Sequence, residues 1–564
     1  MNQEFERLSQ ERKDLQAKGF LPDWFTTQGY QMFIANYKYE HTFLLGRHQT
    51  IAKTLSKYMP EGTHEHWESI FFDLLWSGKL SPSTPILANC GTDRGLTVSC
   101  AGQYIDDSID SFYSNLHETA VLSQHGFGTS GDFSSIRPRG SSISKGGTAN
   151  GAKPVIDDFF TCTSKVSQGG ARRGSFGAYI DIEHPDFDEC YQDLLVNGNG
   201  KNYGWVIRDS FIERLKSGDK AANKRFAEVL HLKLILGKGY FFFIDRANRH
   251  RPDMYKDLGL DIKASNLCSE IMLHSSPEYT YSCVLASINL VHWDEIKDDD
   301  TIFNASVFLD CVVSDFLVKA QGISGLEKVI KFTEKGRAVG LGLMGLHTYL
   351  QQEGIAYDSM PAMFENKMIS QRLASESLRA SKWLAEELGE PEWCKGYGVR
   401  NTHRTAQAPT KSSALLMGGV SEGINPDPGM VFTASSAVGE LTRIVPVFYE
   451  LMKQRGQYKP EVLTRIIKHV GSVQQEDWLT PEEKAVFRTA FEVNQEHHLN
   501  MAAARQPDFC QGQSLNFYIS DTGSEKVIAR LISLCFTKEN ILSQYYIYSR
   551  NGVIVNDECL NCGS

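Results

Sequence analysis

The chain has no surplus of positive charge, no internal repeat, no low-complexity linker and no apolar run near the roughly 20 residues that span a bilayer. A formal charge of −10 over 564 residues excludes a general nucleic-acid surface, so phosphate would have to be held locally by loops and helix N-termini. The polar start Met1-Asn2-Gln3-Glu4-Phe5 is unlike a secretory signal. No G-x-x-x-x-G-K-[ST] occurs, which argues against a P-loop ATPase. His64-Glu65-His66 is too short and isolated for a zinc site, and no carboxylate/histidine di-metal motif is evident. The 12 cysteines are scattered and frame no small secreted domain, which points to a reducing, cytoplasmic setting.

The composition, 41% hydrophobic and 22% charged, is that of a globular protein with ample core. The first 75 residues read as short helices, with Trp24, Phe33, Tyr37, Phe43 and Leu44 as packing positions. From Leu80 the texture changes to short apolar strands, glycine-rich loops and helices. Tyr240–Ile244 and Val284–Leu290 read as buried strands; Met360–Leu388 and Pro481–Val493 have helical spacing. This alternation predicts an α/β architecture. The expected divisions are a helical region over 1–78, a catalytic domain over 79–548 and a tail over 549–564.

The chemistry concentrates in Asn266-Leu267-Cys268-Ser269-Glu270. In an extended segment alternate residues share a face, which would align an amide, a thiol and a carboxylate. A buried cysteine between two surface polar residues is the rival reading. Further thiols stand at Cys100, after Thr97-Val98-Ser99, and at Cys283, in the apolar Ser282–Leu290 stretch. Tyr545-Tyr546 and Cys559-Leu560-Asn561-Cys562 lie near the C-terminus. Cys559 and Cys562 suit thiol–disulfide exchange, and a zinc half-site would lack a second C-x-x-C. Cys90, Cys162, Cys190, Cys311, Cys394, Cys510 and Cys535 read as ordinary small buried residues. Gly140–Gly147 and Ser167–Gly174 are flexible, partly basic loops, able to approach an anion or simply to cover surface. Ala408-Pro409-Thr410-Lys411-Ser412-Ser413 could cradle a diphosphate or merely cap a helix. Gly340–Gly345 fits G-x-G-x-x-G, but it follows the charged run Lys331–Arg337, so the strand that a dinucleotide fold requires is missing.

From about Leu80 onward these motifs, with Arg337–Gly345 and Asn401–Ser413, resemble the catalytic large subunit of class I ribonucleotide reductase. The resemblance implies a ten-stranded α/β barrel whose central finger loop carries Cys268. It implies reduction of ribonucleoside diphosphates by thiyl-radical chemistry: Cys268 as radical site, Glu270 as base, Asn266 positioning the sugar, Cys100 and Cys283 as reducing pair. Tyr545 and Tyr546 would relay the radical from a separate metal-containing small subunit, and Cys559 and Cys562 would pass electrons from thioredoxin or glutaredoxin. Thr84, Ser99, Pro409, Thr410, Lys411, Ser412 and Ser413 match substrate contacts. Asp107, Ser108, Arg137, Gln168 and Arg172 match effector positions at a homodimer interface. The chain would bind no cofactor beyond nucleotide effectors (dNTP or ATP). Its first catalytic cysteine, at position 100, leaves little room for the N-terminal ATP cone of longer members, and residues 547–558 give the tail about 40 Å of reach. The alternatives are an adenosylcobalamin-dependent reductase and a dithiol oxidoreductase built on Cys559 and Cys562.

Overall fold

Nine consecutive buried residues, Tyr281–Asn289, have no polar face to turn to water, and they form a strand covered on both sides. The computed structural model that contains it describes residues 3–550 except 41, 145, 169–171, 199, 437–438 and 521–523. Cys559 and Cys562 therefore lie outside the described residues, as do the side chains of Gln168 and Arg172.

The main sheet has nine strands: β1 (Leu80–Pro82), β2 (Cys100–Tyr104), β3 (Gly128–Asp132), β4 (Phe176–Asp181), β5 (Asn202–Ile207), β6 (Tyr240–Phe243), β7 (Tyr281–Asn289), β8 (Val339–Met344) and β9 (Ser543–Gln544). β2 through β6 are parallel, each paired with the next. β7 runs antiparallel to β2 and parallel to β8, β9 runs antiparallel to β6, and β1 adds a short antiparallel pairing to the far end of β7. Between β8 and β9 the ring is completed by two extended segments, through the parallel bridges Leu341↔Thr405 and Gln407↔Gln513 and the bond from Tyr545 N to Leu515 O. Two five-membered halves, β2–β6 and β7, β8, 405–407, 513–515 and β9, thus meet head to tail: the expected ten-stranded α/β barrel.

Four helices precede it, Gln3–Ala17, Thr27–Asn36, Leu44–Ser56 and His64–Trp76. Phe33, Tyr37 and Leu44 are buried, with Trp24 and Phe43 packed against the same core. That core continues without a break into β1, β7 and β8. Helix Met360–Leu388 occupies the span its periodicity predicts, capped by Ser359. Helix Thr301–Ala320 corrects the reading that no stretch could span a bilayer: by length and hydropathy it passes, yet 78% of its apolar window is buried inside the protein.

Other boundaries shift for local reasons. The helix from Pro481 ends at Val486. Beyond it Thr489 N donates to Glu492 Oε2 and Ala490 N to Asp427 O, so residues 487–493 turn away from the helix axis. Ile244 starts a helix instead of ending β6. The buried strand begins three residues earlier than expected, at Tyr281, and Asn289 ends it by accepting from Val291 N. Cys162 and Cys510 are half-exposed, unlike the other five cysteines read as buried packing residues.

The G-x-G-x-x-G stretch is not a phosphate loop. Gly340 and Gly342 lie inside β8 itself, where a Cβ on Gly342 would stand 2.5 Å from Ala406 O and one on Gly340 3.2 Å from Cys283 Sγ. Gly342 is small because the backbone at Ala406 passes against it, and Gly340 because the side chains of Leu285, Ala406 and Cys283 crowd it. Gly342→Ala should destabilise the protein by about 1–3 kcal/mol or more, since backbone cannot swing aside as a side chain can. Urea denaturation of the variant, read by circular dichroism, measures this; an unchanged midpoint would contradict the close approach.

Candidate active site

The segment carrying Asn266, Cys268 and Glu270 is a tight turn, not the extended stretch expected. Ser269 adopts φ +67° and its N–H returns to Asn266 O at 3.1 Å. Asn266 Oδ1 accepts from the N–H groups of Glu270 and Ile271, both at 3.0 Å. A side-chain amide that satisfies two backbone donors can replace a strand partner, and asparagine is suited to doing so. The three residues are gathered by this local capping, not by alternation.

The turn sits against both halves of the barrel. A Cβ on Gly177 of β4 would stand 3.3 Å from Leu267 Cα, and Tyr179 of β4 donates its hydroxyl to Asn266 O at 2.7 Å. From the other half Gly512 N donates to Glu270 O, and Ser514 Oγ donates to Cys268 O at 2.7 Å.

Cys100 and Cys283 are directly opposed across β2 and β7. Opposed residues of an antiparallel pair have Cα atoms about 4.5–5.5 Å apart, within disulfide range. Asn266 Nδ2 reaches Cys100 Sγ at 3.5 Å, which links the turn to the pair, and Gln511 Nε2 reaches Cys283 Sγ at 3.6 Å. Burial pushes the Cys283 thiol well up, so it keeps its proton. Cys100, Cys268 and Cys283 are all buried.

Glu270 is fully buried, and burial pushes its carboxyl up to about 7 against the lowering effect of bonds from Asn266 and Ser514. Ser514 Oγ lies 3.1 Å from Glu270 Oε2, while Oε1 has no protein partner. A carboxyl that titrates near neutrality and keeps one open oxygen can take a proton and return it.

Behind Cys268 the rings of Tyr545 and Tyr546, 4.2 Å apart, are buried in one cluster with Leu267, Cys268 and Tyr240. Tyr546 then approaches the half-buried Tyr548 at 5.8 Å.

Near the other substrate-matching residues, the hydroxyls of Ser83 and Ser99 are buried without protein partners. Thr84 begins the helix Thr84–Asn89 and bonds Tyr37 through its hydroxyl at 3.1 Å. Thr410, at φ +56°, follows Pro409 and precedes the helix Lys411–Leu416; its Oγ1 accepts from Gly423 N at 2.7 Å. Ser412 and Ser413 are buried in the first turn of that helix. Helix Thr27–Asn36 touches both elements, one through Tyr37 at its C-cap and one through direct packing.

The effector-matching residues form a separate group. Arg137 Nε donates to Asp107 Oδ2 at 2.6 Å, and Ser108 caps the helix Ile109–Gln124. Gln168 and Arg172 are register partners in a two-stranded hairpin. Ile109 and Tyr113 leave an apolar stripe on that helix 67% and 59% exposed. Sequence reasoning did not single out Tyr240, Tyr179, Gln511 or Ser514; none stands in a motif, and only the closure of the barrel brings them to the turn.

A model of the family described as ribonucleotide reductase, barrel domain, matches residues 98–225, 220–393 and 392–546. A putative ribonucleoside-diphosphate reductase large subunit of Frog virus 3 is 32% identical, covering 84% of this chain and 86% of its own length. A vitamin B12-dependent ribonucleoside-diphosphate reductase of Mycobacterium tuberculosis is 30% identical over 81% of this chain and 68% of its own length. The solved class Id ribonucleotide reductase alpha subunit of Actinobacillus ureae superposes with a TM-score of 0.86 at 36% identity, covering 94% of this chain and 98% of that one. The opposed thiols, the buried turn and the tyrosine stack therefore stand in a barrel of known kind, and the chain belongs to the ribonucleotide reductase large-subunit family.

Proposed function

We propose that this chain is the catalytic large subunit of a class I ribonucleoside-diphosphate reductase, taking its radical from a separate small subunit. The observation that carries this reading is the opposition of Cys100 and Cys283 beside the turn that holds Asn266, Cys268 and Glu270. A thiyl radical on Cys268 abstracts the 3′ hydrogen of the ribose while Glu270 takes the 3′-hydroxyl proton. The 2′-hydroxyl leaves as water, Cys100 and Cys283 supply two electrons and become a disulfide, and Cys268 returns the hydrogen to C3′. Asn266 positions the sugar. The Pro409–Ser413 loop holds the diphosphate end with hydroxyls and N–H groups, and Thr84 and Ser99 make further substrate contacts.

Tyr545 and Tyr546 relay the radical inward, and the small subunit docks where Tyr548 meets the surface. Asp107, Ser108, Arg137, Gln168 and Arg172 bind an effector nucleotide, and the exposed stripe beside them pairs two copies of the chain. Cys559 and Cys562 carry electrons from thioredoxin or glutaredoxin to the spent pair. A dithiol shuttle of this kind suits a cytoplasmic setting. An adenosylcobalamin-dependent reductase is the second reading, favoured by the relative from M. tuberculosis. The tyrosine stack favours class I, since a radical generated beside the cysteine needs no relay to the surface.

Reduction of the four ribonucleoside diphosphates, assayed with the small subunit and separately with adenosylcobalamin, should succeed only with the former. Cys268→Ser should lose all turnover and keep nucleotide affinity, because a serine O–H bond is too strong to give up its hydrogen; repeated turnovers by that variant would end the thiyl assignment. After one turnover without external reductant, peptide mapping should find Cys100 joined to Cys283. A different linkage would reassign the reducing pair.

Glu270 makes stability and activity respond to pH in opposite senses. Its folded-state carboxyl titrates at about 7 against an ordinary 4.5, so the stability it contributes is complete below 4.5 and is lost as pH rises through 7. Relative to Glu270→Gln, the wild type should lose up to about 3 kcal/mol between pH 4.5 and 8, while its turnover rises over the same range. Parallel urea denaturation of the two proteins at pH 5 and pH 8 checks the first; identical pH dependence would contradict it.

A further inference from the structure

Tyr240, the first residue of β6, stands on a strand chosen in the sequence only for its apolar character. Its ring lies 4.6 Å from Tyr545 and 5.1 Å from Tyr546, which are themselves 4.2 Å apart, so three phenols form a closed triangle. All three are buried and share one cluster with Cys268. The phenol oxygens of Tyr240 and Tyr546 are joined by a short hydrogen bond of 2.5 Å. Asn202 Oδ1 lies 3.0 Å from the Tyr240 hydroxyl and 3.5 Å from that of Tyr546. An amide oxygen only accepts, so it can receive the hydrogen of whichever phenol is not donating to the other. Packing alone would need a single acceptor for Tyr240, which Asn202 supplies; the direct bond between phenols goes beyond that. Lys233 donates to Tyr545 O at 2.7 Å, and burial pushes the pKa of its ammonium well down.

We propose that Tyr240 is a third redox-active tyrosine, exchanging the radical with Tyr546 across their hydrogen bond; this rests on the relay reading given above. In the exchange the Tyr546 phenoxyl oxygen takes one proton and one electron from the Tyr240 hydroxyl. The Tyr240 O–H bond breaks as that of Tyr546 forms, and the radical then resides on Tyr240. Either ring passes it to Tyr545, whose phenoxyl oxygen finally takes the hydrogen atom of the Cys268 thiol. The first oxidant is the radical-bearing small subunit. Neither ring has to move, and no net charge appears in the apolar cluster.

The test uses the full chain with its small subunit, a ribonucleoside diphosphate and an effector. Tyr240 and Tyr546 are replaced one at a time by 3-aminotyrosine, a phenol easier to oxidise that retains the radical, and each protein is examined by electron paramagnetic resonance. The expected result is an aminotyrosyl signal from both, together with a fall in turnover of about tenfold or more for Tyr240→Phe at unchanged nucleotide affinity. A signal at position 546 but not at 240 overturns the proposal and leaves the relay standing. Silence at both overturns the relay and the proposal with it. Full turnover by Tyr240→Phe returns Tyr240 to packing.

Discussion

The structure depends on burying an irregular turn at the centre of a barrel without leaving its backbone unsatisfied. Buried N–H and C=O groups must find partners, and a turn has no neighbouring strand to provide them. Here Asn266 Oδ1 accepts two N–H groups, Tyr179 serves Asn266 O, Ser514 serves Cys268 O and Gly512 serves Glu270 O. These partners come from both halves of the barrel, so the turn adds a link between halves already joined by the β2–β7 and β6–β9 pairings. The reactive thiol proposed at Cys268 needs this seclusion from water, and the same bonds that provide it set the orientation of that residue.

Burial then sets the proton chemistry. Removing Glu270 from water raises its carboxyl to about 7, and the same effect keeps Cys283 a thiol. The chemistry proposed for these groups needs a carboxyl that can pick up and release one proton, and thiols that arrive with their hydrogens. On an exposed surface at neutral pH the carboxyl would be ionised throughout.

A buried ionic cluster supports the second half from behind. Asp310, on the apolar helix Thr301–Ala320, accepts from Arg337 just before β8 and from Arg400 just before the next extended segment, while Asn401 joins Asp310 to Arg337 O. The two guanidinium groups hold the Asp310 carboxyl below the usual range despite its burial. Breaking such a pair by removing one partner is costly because the remaining charge stays buried. The cluster fixes where β8 starts, and hence where Gly340 passes Cys283.

What was legible in the sequence was whatever short-range pattern encodes. Met360–Leu388 showed its helix through period, Val284–Leu290 its burial through apolarity, and Cys100, Cys283, Tyr545 and Tyr546 their importance through a family resemblance. The family resemblance they carry together is what pointed to thiol and phenol redox chemistry. The tertiary structure decided which groups meet. Cys100 faces Cys283 only because two strands distant in sequence pair in one register, and Tyr240 meets Tyr546 only because β6 and the chain's last strands close the ring. The turn at Ser269 has a local cause, the capping by Asn266 Oδ1, and a tertiary one. Whether five residues extend or turn depends on what surrounds them, and Gly177, Tyr179, Gly512 and Ser514 lie far away along the chain.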